Sequence, residues 1–258
     1  MDAPAILTAV RNAYARLATY QDMGEVVSVS ERASGAPHPK PHHMPFSTWL
    51  ARPDKFRFDF AQRIGHPNFQ KTTSVWMQNF VPKCHGWWTK GPTVADRERM
   101  DSFRNMVFYA GMSSHNAASR VPRLLMPDRL PEEQELTATA ARAESLGSLR
   151  CHAIEVGWAN TNGSFKEEWW VGAEDLLIRK VVCVMKFCAE TSQPLREKIK
   201  ADTVKRHADG KMSDEELRAA LESFNPENAL LSSELTTTYT PTVGAAIPDN
   251  VFDFRPDP

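Results

Sequence analysis

The sequence predicts an α+β fold, mainly β, in which one long antiparallel sheet carries an N-terminal helix, a central helical segment and a late helical insertion. Three observations lead there. Apolar residues recur at helical spacing over residues 6–20, and the period switches from 3.6 to 2 after Gly24. Short alternating segments bounded by turn residues then follow one another closely, as strands joined by hairpins do. Finally, residues 190–227 interrupt the alternation with seven basic and nine acidic residues and helical texture.

The opening helix is marked by Ile6, Val10, Ala13, Tyr14, Leu17 and Tyr20, with Arg11, Asn12 and Arg16 elsewhere around the wheel. Val27 and Val29 alternate with Ser28 and Ser30 as a first strand. Residues 33–45 read as a Pro-rich loop, because proline cannot pair in a sheet interior. A second strand runs from Phe46 to Ala51, and Arg52-Pro53-Asp54 is the turn into a third, Lys55 to Phe60. There Phe56, Phe58 and Phe60 share one face while Arg57 and Asp59 share the other. Residues 72–78 and 84–89 read as two more strands. Residues 97–126 return to helix, with Met100, Phe103, Met106 and Val107 on one side, then Val121 to Met126. A four-strand meander is expected from Glu133 to Phe187, its clearest turn at Asn162-Gly163. Two helices ending at Asn225-Pro226, a strand over Leu230–Tyr239 and a closing Ile247-Pro248…Phe254 segment complete the order. One domain spans residues 1–258, with 190–227 inserted in it.

Composition narrows the function. The chain has 258 residues, 31 basic and 32 acidic side chains, a formal charge of −1 and 41% apolar residues. That is globular rather than disordered. Nucleic acid is not expected as a partner, because a phosphate backbone rewards a basic excess that is missing here. No apolar run reaches the roughly 18 residues of a membrane span. The first residues, Met1-Asp2-Ala3-Pro4-Ala5, carry no signal-peptide pattern, so either the protein is cytosolic or a leader has been trimmed and Met1 restored. Cys84, Cys151, Cys183 and Cys188 form no C-x-x-C motif and read as buried free thiols.

Catalytic patterns fail one by one. There is no G-x-S-x-G and no Gly-rich phosphate loop. Ser113-Ser114-His115-Asn116 reads as a polar loop, since triads assemble in space rather than along the chain. Cys84-His85 and Cys151-His152 point to opposite strand faces, so each pair offers a zinc ion one ligand at most. Glu167-Glu168 is divided between two faces in the same way, which reads as a solvated residue beside a rim residue rather than as a glycosidase pair. His38, His42 and His43 crowd a loop too costly to order for a metal. Lys205 to Glu216 matches the calcium-loop template at Asp209, Gly210, Ser213 and Glu216. Lys205 and His207 nevertheless stand at ligand positions that need oxygen. A helix stop at Gly210 and a capping box from Ser213 to Glu216 account for the same letters. No enzyme, no cofactor and no metal is expected.

The aromatic residues carry more information. Six of seven tryptophans (49, 76, 87, 88, 169 and 170) lie on or near expected strands, with Phe46, Phe56, Phe58 and Phe60. A sheet with one oversized apolar face and a mobile cover makes a cavity for an apolar ligand. At this point the chain resembles a known family. Phe46-x-Thr48-x-Leu50-x-Arg52-Pro53-x-Lys55-Phe56-Arg57-Phe58 is similar to the strand–turn–strand segment of the bacterial outer-membrane lipoprotein carrier (LolA/LolB-like) superfamily. Tyr14…Leu17…Tyr20-x-Asp22-x-Gly24 resembles its opening helix, and Val75-Trp76 its next strand. Val121 to Pro127 resembles the lid region of its exported members. Trp169…Leu177-Ile178-Arg179-Lys180 and Ile247-Pro248…Phe252-x-Phe254-x-Pro256 complete the order, which covers nearly everything except 190–227.

That resemblance implies an unclosed, strongly curved half barrel with helices plugging its concave face, and an acyl chain, lipid or lipoprotein as cargo. Arg52 aligns with the arginine that ties the lid shut in the carriers. The cavity and lid are then expected to involve Trp49, Phe56, Phe58, Phe60, Trp76, Met106, Leu124 and Leu125, with Arg52 as the latch. The expected setting is the periplasm or cell envelope, as a monomer with a possible envelope protein partner, or the cytoplasm if Met1 is the true start. The other reading is an envelope interaction or sensor domain whose sheet face is simply a packed core.

Overall fold

The computed structural model describes residues 1–32, 41–63, 70–88, 102–111, 114, 117–130, 136–160, 163–186, 189–210, 212–222 and 230–253. Helix α1 (Ala3–Arg16) starts where the Asp2 carboxylate accepts a hydrogen bond from the Ala5 N–H at 2.9 Å, with Pro4 in the first turn where no donor is needed. Ile6, Leu7, Val10 and Tyr14 are its buried stripe. It ends sooner than the apolar periodicity suggests. Tyr20 belongs to strand β1 (Thr19–Arg32), not to the helix. Tyr20, Asp22 and Val26 face the core, while Val27 and Val29 are half-buried on the other side.

Strand β2 (His42–Ala51) also begins earlier than expected, so that His42 to Pro45 are strand rather than loop, and Met44 is buried. The rest of the expected Pro-rich loop, residues 33–40, lies outside the described residues. Strands β3 (Lys55–Arg63), β4 (Gln70–Gln78) and β5 (Val81–Trp88) follow as antiparallel neighbours. Helix α2 (Phe103–Gly111) occupies part of the expected central helical segment, whereas Met100 lies outside the described residues. Ser114 closes the next turn, donating to the Gly111 carbonyl at 2.6 Å and accepting from the Ala118 N–H at 3.3 Å. A 3₁₀ turn (Ala117–Ser119) then leads into helix α3 (Arg120–Leu125).

The expected four-strand meander is β6 (Thr137–Leu146), β7 (Leu149–Asn160), β8 (Gly163–Gly172) and β9 (Ile178–Lys186). The β7–β8 hairpin pairs Asn160 with Gly163, and Asn162 itself lies outside the described residues. Two helices, α4 (Ala189–Ala208) and α5 (Asp214–Glu222), precede β10 (Leu230–Tyr239) and the short β11 (Thr242–Val243). Among the described residues the strands form one sheet in the order β5-β4-β3-β2-β1-β10-β9-β8-β7-β6, with β11 paired to β1. The sheet is not closed, and β5 and β6 are its edges.

Two compact units share this chain. The first comprises residues 1–27, 42–183 and 235–258 and contains α1, the aromatic strands and α2–α3. Helices α2 and α1 pack on opposite ends of the sheet order, α2 on β3, β4 and β5 and α1 on β6 and α3. Gly24 is required where β1 runs beneath Phe46, because a Cβ there would collide with that ring and with the Thr238 carbonyl. The second unit comprises residues 28–41 and 184–234. In it, Gly210 adopts φ +71° after α4 and its N–H bonds the His207 carbonyl at 2.9 Å, while His207 pairs with Asp214 of α5 at 2.7 Å. The Lys205–Glu216 stretch is therefore a helix stop followed by a helix start. Cys84, Cys151 and Cys183 are buried free thiols, and Cys188 lies outside the described residues.

Candidate functional site

Period-2 alternation divides each strand of the first unit between two faces, and hairpin register decides which residues meet. On the face that meets the helices, Phe56, Phe58 and Phe60 of β3 stand opposite Leu50, Thr48 and Phe46 of β2 and opposite Met77, Val75 and Thr73 of β4. The ring of Phe58 lies 6.3 Å from Phe46 and 6.4 Å from Phe60, and Phe103 of α2 packs edge-on against Phe56 at 5.3 Å. Every one of these aromatic residues is buried. Such edge and offset contacts add to what burial alone contributes.

Across β1, β10, β9 and β8 the same face turns polar. The Tyr14 hydroxyl accepts a hydrogen bond from the Ile178 N–H at 3.0 Å, and its ring lies 5.7 Å from that of Tyr20. Asp22 is 2% exposed and accepts the Thr240 N–H at 2.8 Å. Burial pushes its carboxyl up to about 6, against smaller opposing effects from the Thr240 bond, Tyr20 and Arg179. Burial likewise holds the hydroxyls of Tyr14, Tyr20 and Tyr239 above the usual tyrosine range.

Further along, Arg120 of α3 and Glu167 of β8 form an ion pair at 2.9 Å, with side chains 7% and 4% exposed. The Arg120 guanidinium lies 5.6 Å from the centre of the Trp169 ring, and the Trp169 indole N–H donates to the second Glu167 oxygen at 2.7 Å. This corrects the sequence reading of Glu167 as a solvated or rim residue. Alternation separates it from Glu168 as expected, but its side of the strand is the covered one. Cys183 stands opposite Glu167 in the ladder, and burial, with the Glu167 charge beside it, pushes its thiol up to about 12.

Among the described residues, three contacts therefore fasten residues 117–126. Arg120 meets Glu167, the Tyr239 hydroxyl donates to the Ala117 carbonyl at 3.0 Å, and Arg52 holds the far end. Arg52 Nη2 donates to the Leu125 carbonyl at 2.7 Å and its Nε to the Leu17 carbonyl at 2.9 Å. Its backbone N–H bonds Ala18 at 2.9 Å, so one turn residue joins β2, the end of α1 and the end of α3.

Of the remaining residues singled out in the sequence, Leu124 and Leu125 are buried in α3, and Met106 is half-buried on α2. Trp49 and Trp76 are placed differently. In register they flank Arg57, on the sheet face opposite to Phe56 and Phe58. There the Arg57 guanidinium lies 5.3 Å from the Trp49 ring centre, pairs with Asp59 at 2.7 Å, and donates to the Val251 carbonyl at 2.9 Å. Ser74 also donates to Asp59, and Lys55 reaches Asp249 at 2.7 Å. The C-terminal segment thus meets this second face at Asp249 and Val251, and Phe252 between them and the chain end is completely buried. The pair Arg120–Glu167 was not anticipated. Its signal was present as one cation in the otherwise uncharged run Ala117–Pro122 and one anion two residues before Trp169.

Among the described residues no group of three or more His, Cys, Asp or Glu side chains is arranged to hold a metal ion, and no helix is long and apolar enough to cross a membrane.

These features define an open antiparallel sheet with helices fastened over one face by a few directed polar contacts. No protein-family model and no curated protein matches the chain. Among solved structures it is similar to a DUF1329 family protein from Desulfovibrio piger, with 8% identity and a TM-score of 0.35 over 95% of this chain and 96% of that one. It is also similar to a putative outer membrane lipoprotein-sorting protein domain from Vibrio parahaemolyticus, with 10% identity and a TM-score of 0.35 over 97% and 96% of the two chains. A third is the Pseudomonas aeruginosa MucA/MucB complex, with 10% identity and a TM-score of 0.39 over 96% of this chain and 59% of that one.

Proposed function

We propose that this protein is a non-enzymatic carrier or binding protein of the bacterial periplasm or envelope, working as a monomer, which takes an acyl chain, lipid or acylated protein against the aromatic face of its sheet. Helices α2 and α3 act as the lid. The observation that carries the reading is the Arg52 contact: a side chain in the β2–β3 turn reaches the Leu125 carbonyl at the end of the lid and the Leu17 carbonyl at the end of α1. A hydrogen bond from a charged donor contributes about 1.5–3 kcal/mol, enough to govern a lid without making it permanent. When the lid lifts, Phe46, Phe56, Phe58 and Phe60 present a continuous apolar floor of the kind an acyl chain covers.

Saturable binding of a fluorescent fatty acid by the purified protein is the expected result, with lipid retained in native mass spectrometry after expression in a bacterial host. Absence of both overturns the reading. The complete burial of the aromatic floor favours a second reading, in which the face is a permanent core and the protein is an envelope interaction or sensor domain. Under that reading the probe does not bind at any concentration short of unfolding. Cell fractionation tests the location: recovery in the cytoplasmic fraction contradicts it.

A further inference from the structure

We propose that Glu167 and Trp169 form a recognition site for a cationic head group, occupied in this structure by Arg120 of the chain itself, so that the ligand of the covered face is a cationic amphiphile. Such a ligand joins an apolar tail to an amine, quaternary ammonium or guanidinium. The inference rests on the reading of that face as an acyl-chain site and specifies its polar end.

The geometry is that of a cation pocket. One Glu167 oxygen faces the Arg120 guanidinium at 2.9 Å, and the other is held by the Trp169 indole N–H at 2.7 Å, which keeps the carboxylate aimed whatever cation it meets. The ring of Trp169 supplies an aromatic face 5.6 Å from the guanidinium carbon. A carboxylate beside an indole face is the chemistry that recognises alkylammonium and guanidinium groups, and exclusion of water strengthens both contacts.

Adhesion of the lid does not require the pair. Val121, Leu124 and Leu125 already bury the lid's apolar side, and Arg52 and Tyr239 already bond its carbonyls. A buried ion pair adds little over an apolar pair of the same volume, because desolvation offsets the attraction, yet removing one partner alone is strongly unfavourable. What the pair adds is a condition on opening. The lid can leave Glu167 at low cost only when another cation arrives there. A ligand shifts an equilibrium only by the difference in its affinity for the two states. A neutral or anionic amphiphile, a fatty acid included, leaves Glu167 uncompensated in the open state and is held by its tail alone, whereas a cationic one is held at both ends.

Calorimetric titration of the full chain with dodecyltrimethylammonium and with dodecyl maltoside, each below its micellar concentration, tests this. Hydrogen exchange over residues 117–125 is followed in parallel. The cationic probe is expected to bind at least about tenfold more tightly and to raise exchange in that segment. The double variant Arg120→Met/Glu167→Gln, which removes both charges and keeps similar volumes, is expected to bind the two probes equally. Equal affinities in the wild-type protein overturn the head-group site alone and leave the acyl-chain reading standing. So does a cation preference that persists in the double variant, which surface charge would explain. If neither probe binds while the fluorescent fatty acid does, the head-group site alone falls; if none of the three binds, both readings fall.

Discussion

The two halves of the covered sheet face hold their helices by different physics. Over β2, β3 and β4 the floor is Phe46, Phe56, Phe58, Phe60, Val75 and Met77, and its partner is Phe103. Contact there is non-directional and roughly proportional to area, so it tolerates sliding and exchange of one apolar cover for another. Over β1, β10, β9 and β8 the floor holds Tyr20, Asp22, Tyr239, Glu167 and Trp169, and the helices are held by particular atoms at particular distances: Tyr14 of α1 by the Ile178 N–H, Ala117 by Tyr239 and Arg120 by Glu167. Directed contacts either form or fail. The apolar half therefore supplies most of the adhesion, while the polar half and the Arg52 latch determine where the helices sit and what has to break when they move.

The comparison is broken most severely by Phe58→Ala. The ring is fully buried between Phe46 and Phe60, so its loss removes transfer free energy and leaves a cavity, with an expected destabilisation of about 3–5 kcal/mol in denaturant unfolding. An unchanged unfolding midpoint would show that the face is already loosely covered.

In the polar half, Asp22→Asn is expected to act in the opposite direction. The carboxyl titrates at about 6 in the folded chain against an ordinary 3.8, so the folded state holds its proton more tightly than the unfolded one. Its contribution to stability is complete below about pH 4 and is lost as pH rises through about 6. At pH 7.5 the charged, buried Asp22 therefore costs roughly 3 kcal/mol, which the neutral amide avoids while still accepting the Thr240 N–H. Unfolding curves for the two proteins should coincide near pH 4 and separate between pH 4 and 7. Parallel curves across that range contradict a buried ionising Asp22.

Arg52→Leu sharpens the comparison at the latch. Loss of the bonds to Leu125 and Leu17 is expected to lower the local opening free energy of residues 117–126 by about 1.5–3 kcal/mol, with faster hydrogen exchange there and unchanged exchange in β7 and β8. Equal exchange in the two proteins would make Arg52 an ordinary turn residue. The smallest effect belongs to the other face of the sheet. Asp249→Asn removes the exposed partner of Lys55 and is expected to change stability by less than about 1 kcal/mol, as surface pairs do. A larger loss would mean that the C-terminal segment is held mainly by that pair rather than by buried Phe252.

What the sequence determined by itself was local and periodic. The alternation at Phe56–Phe60, the turn at Arg52-Pro53-Asp54, the α1 stripe and the stop at Gly210 depend on neighbours within a few residues, and backbone geometry converts such spacing directly into a face, a hairpin or a cap. Register already set limits. Trp49 and Trp76 read as members of the apolar floor, but a hairpin that places Trp49 opposite Arg57, and Arg57 opposite Trp76, puts both indoles on the other face. The end of α1 was blurred because Tyr20 satisfies a helical stripe and a strand face equally well, and the bond between Arg52 and Ala18 settles it for β1. Tertiary structure alone decided the charge of the site. Glu167 and Glu168 are equivalent as letters; one is exposed to Arg142 near the surface and the other meets Arg120, 47 positions away in the chain, beneath a helix. Burial of an ion depends on what covers it and what neutralises it, and both come from residues brought together only when the sheet and its helices close on one another.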